Sequence, residues 1–381
     1  MNQFKVFAIN PGSTSTKIAL FEGETILFSA NVNHDSEKLA EYYDISDQLP
    51  YRKETILKIL EENKISLEGV DAFVGRGGGL LALSGGTYEI DSVLLEHARI
   101  GANGVSHPAQ LGSQLAHEFC MQYGGKGFVV NPPDVDEYDD IARVTGMKDI
   151  TRASHIHALN QKETAIRHAE IIGRAYTECN FIICHIGGGI SVAAHKKGRM
   201  VDGTDIVEGE GPMAPTRAGA IPAAPLIRLC YSGKYSEKEI LAKCTKNGGL
   251  VDLIGTADAL EISNKALEGD GYARLIWDAM IYQINKSIGA MAAVLQGDVD
   301  GILLGGGMVY NQDLVTQIKK ACSFIAPVTA YPGEFEMEAM ASGAIRILNG
   351  SETVKKYTGV AVWTGFEDYI GINNSPKTAN L

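Results

Sequence analysis

The feature that most limits how this chain can fold is a repeat with a period of nearly half its length. Lys5 to Asn10 (K-V-F-A-I-N) is a strand-like run that enters a Gly/Ser turn, Thr16 to Phe21 (T-K-I-A-L-F) returns, Glu22-Gly23 turns again, and Thr25 to Ser29 adds a third strand. The order recurs at Asn180 to Ile186 (N-F-I-I-C-H-I), Gly187-Gly188-Gly189, Ile190 to His195 (I-S-V-A-A-H) and a turn at Gly198. Asn10 and His185, Gly12 and Gly187, and Gly23 and Gly198 are each 175 residues apart. An antiparallel meander repeated at that spacing in 381 residues implies an α/β protein of two duplicated domains facing each other across a cleft, 1–150 and 151–381.

Between the meanders, apolar spacing near 3.6 predicts helices over Tyr51 to Asn63, Val93 to Arg99, Gln110 to Tyr123, Ala158 to Thr177, Ser236 to Thr245 and Tyr272 to Gln296. Asp300 to Leu304 reads as a buried strand feeding Gly305-Gly306-Gly307 and a helix from Gln312 to Ala321, and Thr364 to Leu381 as loosely held polar chain. Glycine is abundant, 43 of 381 residues, and gathers in knots after apolar runs at 75–79, 187–189, 208–212 and 305–307. Such knots let the backbone turn and approach a ligand, and several together point to a phosphate-rich ligand held by backbone amides.

Other classes recede. A net charge of −12 with no Lys/Arg stripe argues against a nucleic-acid partner, and the absence of a long apolar run or a leader-like start argues for a cytoplasmic, non-membrane protein. Six cysteines scattered through apolar stretches without a C-x-x-C pair read mostly as buried thiols, neither a zinc site nor a disulfide framework. His155 and His157 form an H-x-H pair, but no spaced cysteine, carboxylate or histidine completes a zinc set.

From Asn10, N-P-G-S-T-S-T-K supplies an amide, four hydroxyls and one ammonium, a set suited to phosphate oxygens but equally compatible with a polar hairpin. Walker A spacing is absent, and the G-x-G-x-x-A string at Gly209, Gly211 and Ala214 contains Pro212 and follows no strand. Arg76 (V-G-R-G-G-G) and Arg217 (A-P-T-R-A-G) sit in loops fixed by glycine or proline, where a guanidinium fork suits carboxylate or phosphate; singly, either reads as structural. The same holds for His107, His157 and His185. Glu334, Glu336 and Glu338 stand just ahead of a helix, as caps or with one reaching a magnesium.

Taken in order, N-P-G-S-T-S-T-K, R-G-G-G, S-H-I-H-A-L-N-Q-K, I-C-H-I-G-G-G-I-S-V, E-G-E-G-P-M-A-P-T-R-A-G, G-G-G-M and P-G-E-x-E-M resemble the acetokinase family, on its butyrate kinase side, from residue 10 to 344. The resemblance implies an actin/hexokinase-like, ribonuclease H-like fold with a nucleotide in the cleft, and reversible phosphoryl transfer between ATP and a short-chain carboxylate with Mg²⁺. It implies that Asn10 and Glu336 serve the metal, and that Ser13, Ser15, Lys17, His185 and Gly187, Gly188 and Gly189 line the phosphates. Asp258 and Gly305, Gly306 and Gly307 would adjoin the nucleotide; Arg76, His107, His157, Arg217 and Lys17 would be catalytic. A homo-oligomer, dimer or larger, and a last helix returning to the first domain also follow.

Two positions depart from the family pattern. Asn131, with Asp134 and Asp136 after it, stands where aspartate is usual, and Leu260 where an arginine often lies against the adenine. A third difference bears on the acid: Gly77, Gly78 and Gly79 follow Arg76, and Ser106 precedes His107, where acetate kinases carry bulkier residues. With Ile156, Gly78 and Ser106 would form a roomier acyl pocket, and about 0.8 kcal/mol per buried CH₂ favours a butyrate-sized or branched acid. A nucleotide-binding sensor that lost its chemistry, with Asn131 and Leu260 as signs of decay, and a sugar or polyol kinase using Asp134 or Asp136 as base are the other readings of the same fold.

Overall fold

A computed structural model describes residues 3–366 and Tyr369. Its first sheet comprises β1 (Lys5–Pro11), β2 (Ser15–Glu22), β3 (Thr25–Asn33), β4 (Ala72–Gly75), β5 (Thr87–Glu89) and β6 (Lys126–Val130), in the order β3-β2-β1-β4-β6-β5. The second comprises β7 (Asn180–Ile186), β8 (Ile190–Lys196), β9 (Arg199–Gly203), β10 (Gly301–Gly306) and β11 (Val328–Pro332), in the order β11-β10-β7-β8-β9. Each sheet is an antiparallel three-strand meander whose first strand then pairs parallel with the next strand outward, β1 with β4 and β7 with β10. The repeat in the sequence is therefore a repeat of topology, and β5 is an addition to the first copy.

Both faces of each sheet are covered, which is why β1 and β7 read as continuous apolar runs. Along β1, Phe7 and Ile9 pack with Phe73, Leu115 and Phe119 on one side, while Val6 and Ala8 face Phe128, Met340 and Ala344 on the other. Along β7, Ile182, Cys184 and Ile186 join Trp277, Met280 and Ile284, and Phe181 and Ile183 meet Ala165 and Ala169. The helix Glu336–Leu348, late in the chain, thus covers the first sheet, while Ala158–Ile171 covers the second; the two helices touch where the halves meet. Lys355 continues this return, exchanging backbone hydrogen bonds with Thr87 and Glu89.

Several sequence expectations need correction. The helix from Ala158 ends at Ile171, not near Thr177, because Gly173 adopts φ +71° and its N–H and that of Arg174 close the last turn onto Glu170 and Ala169. Cysteine burial was overstated: Cys179, Cys184 and Cys322 are buried, Cys120 and Cys244 are half-buried, and Cys230 is exposed. The reading of Thr364 to Leu381 as loose chain lies, beyond Phe366 and apart from Tyr369, outside the described residues. No helix among the described residues is long and apolar enough to cross a membrane.

Candidate active site

The two hairpin turns, one per sheet, open toward a common polar cluster. Asn10, at the end of β1, donates from Nδ2 to Glu336 Oε2 at 2.8 Å, and Arg76 Nε lies 3.9 Å from Glu336 Oε1. Arg76 leaves β4, is largely buried, and donates to the Asn131 carbonyl at 3.3 Å. His185, at the matching end of β7, stacks on His157 with ring centroids 3.9 Å apart and faces Glu334 at 3.7 Å. Burial holds His185 down at about 4 and pushes His157 well below the usual histidine range, where a proton on His157 would also be opposed by one on His185 and by the Arg217 and Arg76 charges. Both rings are neutral near pH 7. His107 is also lowered, by burial and then by Arg76; its Nδ1 accepts from the Ala109 N–H at 3.1 Å, so its proton sits on Nε2.

Arginines from both halves thus bring charge to one histidine, and local packing explains how. Arg217 crosses the second turn so closely that a Cβ on Gly189 would lie 1.6 Å from its Nη1. The other glycines differ: a Cβ on Gly306 would meet the Ile186 carbonyl at 2.4 Å, a demand of the protein's own packing, whereas Gly188 and Gly307 face open space. Gly305 pairs in register with His185, which brings the 305–307 knot beside the stack. Lys17 is exposed on β2, its charge reaching Glu334, which is raised first by burial and then by Glu336. Ser13 and Ser15 stand on the first turn. Asp258 is exposed and caps the helix Ala259–Leu267 through the Leu260 and Glu261 N–H groups, and Leu260 itself is 64% exposed.

Asn131 resolves one departure. It holds φ +38°, which asparagine tolerates, and its Oδ1 accepts from the Gly86 N–H at 2.7 Å, so its backbone, not its side chain, meets Arg76. Asp136 is committed to Arg143 at 2.6 and 2.7 Å. Asp134 differs: Oδ1 accepts from Leu80 N–H and Asn103, Oδ2 has no partner among the described residues, and burial lifts the carboxyl to about 7 against the opposing hydrogen bonds and the Arg76 charge. Because the folded state holds this proton more tightly than the unfolded one, the group's contribution to stability falls as pH rises from about 4 to about 7. The Asp134→Asn variant is expected to lose that slope; thermal midpoints against pH, wild type minus variant, would contradict the assignment if the difference stayed flat.

The acyl side also needs correction. The glycine run after Arg76 opens no void, since a Cβ on Gly77 would lie 2.5 Å from Val129 Cγ1, on Gly78 3.3 Å from Gln110 N, and on Gly79 3.2 Å from the Ala98 carbonyl. Ile156 is buried, and Ser106, which is exposed, borders a groove of about 560 Å³ that also includes Gly101, Gly104 and Gln110.

Several contributors left no local sequence signal. Arg52, fully buried, donates to the carbonyls of Gly12, Ser13 and Ser15 and so holds the first turn from a helix about 40 residues away. Arg152 ties Glu210, Asp202 and the Gly203 carbonyl together, tethering the loop that leads to Arg217. His155, which the H-x-H spacing did mark, turns away from His157 to Asp205 at 2.7 Å; with Glu208 it forms a group whose ligand-type atoms lie within 4.8 Å.

Two sheets of one topology, each ending a hairpin at this cluster, define the two-domain actin-like ATPase class. A model of the acetokinase family matches residues 146–326. Butyrate kinase 2 of Clostridium acetobutylicum is 46% identical over 355 residues, covering 93% of this chain and 99% of that protein. A probable butyrate kinase of Clostridium botulinum is 43% identical over 93% of this chain and 99% of its own length. Among solved structures, the acetate kinase of Porphyromonas gingivalis superposes with a TM-score of 0.73 at 21% identity, covering 91% of this chain and all of the other. A propionate kinase of Francisella tularensis gives 0.68 at 19% identity, over 89% and 98%. This chain belongs to the acetokinase family.

Proposed function

We propose that this protein transfers the γ-phosphoryl group of ATP to the carboxylate of a short-chain fatty acid, butyrate-sized or branched, and runs in reverse from acyl phosphate and ADP. The observation that carries the reading is the placement of Arg76, from one half, against the Asn10–Glu336 pair and of Arg217, from the other, across the Gly189 turn that follows His185, the ring on which His157 stacks. Two guanidinium forks suit a carboxylate and a phosphoryl group in line. A carboxylate oxygen is already a competent nucleophile: it bonds to the γ-phosphorus as the bond to ADP breaks, and the protein's task is alignment and charge neutralisation. Arg76 and Arg217 hold the two reactants, His157 donates to the equatorial oxygens, and Ser13, Ser15, Lys17, His185 and the 187–189 turn line the phosphates. Asp258 and Gly305, Gly306 and Gly307 adjoin the nucleotide.

Asn10 and Glu336, with Glu334 beside them, offer the hard oxygen donors that Mg²⁺ prefers, directly or through its water shell. When bound, Mg²⁺ would neutralise charge on the β- and γ-phosphates. The reading extends to a cytoplasmic location and to a homo-oligomer, the latter supported by the helix Ala223–Cys230, which has no buried residue, and by Ile227 and Tyr231, 56% and 89% exposed.

Hydroxylamine trapping with ATP and Mg²⁺ over acids of two to five carbons tests the chemistry. Product peaking at four or five carbons is expected; acetate exceeding both butyrate and isobutyrate in kcat/KM would reject the acid assignment. Absence of product from every acid, in protein that binds ATP, would favour the sensor reading. Since the glycine run is packed shut, the extra carbons run past Ser106. Ser106→Leu should therefore lower kcat/KM for butyrate about 10-fold relative to propionate, as expected for losing room for one or two CH₂ groups. An unchanged ratio would move the acyl tail elsewhere.

A further inference from the structure

A neutral imidazole donates from one nitrogen only, so the position of the His157 proton decides whether it can serve the phosphoryl group. His157 Nδ1 lies 2.8 Å from Ser191 Oγ, which lies 2.8 Å from Gln161 Nε2. Gln161 Oε1 is 2.9 Å from His195 Nε2, and His195 Nδ1 is 2.7 Å from the Tyr176 hydroxyl. Ser191, Gln161 and His195 are all 0% exposed, so these groups satisfy one another inside the protein.

One fixed acceptor sets the direction of the chain. The Ser191 backbone carbonyl, which cannot donate, lies 3.4 Å from Gln161 Nε2, so the amide nitrogen faces Ser191 and the amide oxygen faces His195. Gln161 Oε1 then accepts from His195 Nε2–H. Burial keeps His195 neutral, with Lys162 adding to the effect, and keeps the Tyr176 phenol protonated, so Tyr176 O–H donates to His195 Nδ1. At the other end Ser191 Oγ accepts from Gln161, and among the described contacts its own hydrogen has one acceptor, His157 Nδ1.

We propose that Ser191 and Gln161 are positioning residues that fix His157 as its Nε2–H tautomer, so that its single N–H lies on the side of the ring away from Ser191 and is free for the transferring phosphoryl group. The proposal rests on the reading of His157 as a donor in phosphoryl transfer. Gln161 begins the first hydrogen-bonded turn after His157, its N–H meeting the His157 carbonyl at 2.9 Å, so one helix start positions both the ring and the residue that orients it. Ser191 is supplied by β8, in register with His185, the ring on which His157 stacks.

The decisive experiment is nitrogen-15 NMR of histidine-labelled resting enzyme, with His157→Gln to assign the signal. Wild type is expected to show His157 neutral, protonated at Nε2 and bare at Nδ1. Gln161→Glu, nearly isosteric, presents only acceptors once ionised at alkaline pH; Ser191 O–H should turn to it and His157 Nδ1–H should then donate to Ser191. The tautomer is expected to reverse and kcat to fall about 10²-fold, the size of one lost donor to a developing anion, with the KM for ATP within twofold. Ser191→Ala should leave both tautomers populated, and Ser191→Thr should restore Nε2–H. A cationic or Nδ1-protonated His157 in wild type, or a Gln161→Glu enzyme that keeps Nε2–H yet loses activity, would overturn the proposal. The spectra need no substrate: Nε2–H in a protein that phosphorylates no acid would overturn the functional reading and leave the tautomer assignment standing.

Discussion

Replacing Arg76 by alanine is expected to lower kcat/KM for butyrate by about 10³ or more, and Arg217→Ala by a similar factor, the scale at which arginines contribute to phosphoryl transfer. A factor of 10³ is about 4 kcal/mol of transition-state stabilisation. Arg76 is held before substrate arrives: it is 9% exposed, its Nη1 donates to the Asn131 carbonyl, and its Nε faces Glu336. Burial pulls its affinity for a proton down while Glu336 and Asp134 push it back up, so the charge is partly dehydrated and partly compensated. A cation in that state interacts strongly with new negative charge and has little reorganisation left to do. Arg76→Lys retains the charge but loses the fork, and should recover only a small part of the rate. Steady-state kinetics on both variants, with circular dichroism to show retained fold, decide the matter; near wild-type turnover in either would remove that arginine from the mechanism.

The fold was legible where local pattern and global topology agree. The two meanders announced themselves because each strand run is bounded by its own glycine turn and the copies share a spacing, and the structure repeats the order of their strands. Helix ends were less legible: apolar spacing carried on past Ile171, but one glycine in the left-handed region stopped the helix. β9 and the helices Ala223–Cys230 and Ala259–Leu267 were missed: β9 is only five residues long, Ala223–Cys230 buries no residue, and Ala259–Leu267 is short and buries only Ile262, Ser263 and Ala266.

The site was legible by motif for its loop residues and hidden for those that hold them. Arg52, Ser191 and Gln161 act on groups about 30 to 40 residues away; Arg52 stands in no motif, and Gln161 and Ser191 lie inside motifs whose histidines and glycines drew the reading while their own roles depend on the fold. The acyl pocket shows the opposite error. Three glycines look like missing side chains and hence like room, but the chain closes onto bare backbone, and Val129, Ala98 and Gln110 fill the space.

Gly189→Ala is expected to lower kcat/KM by about 10², a large part of what losing Arg217 itself costs, while sparing the fold. Gly189 is absent from the left-handed positions of the backbone, so alanine fits its conformation. The added methyl would sit 1.6 Å from Arg217 Nη1 and 2.8 Å from Cζ, an overlap that only a movement of the guanidinium relieves. Since the obstructed atoms are the far end of a flexible, half-buried side chain, the protein can yield there cheaply, and the thermal midpoint should move by only a few degrees, consistent with a change near 1 kcal/mol. The fork, however, is displaced from its seat across the turn, and a misplacement of about 1 Å in a positioning group costs on the order of 10² in rate. The contrast with Gly306→Ala sharpens the test. There the new methyl meets the Ile186 backbone carbonyl at 2.4 Å with φ at +100°, so neither neighbour nor backbone can yield, and stability should fail before activity is read. An active Gly189→Ala enzyme would show that Arg217 acts from a position other than the one it holds across the second turn.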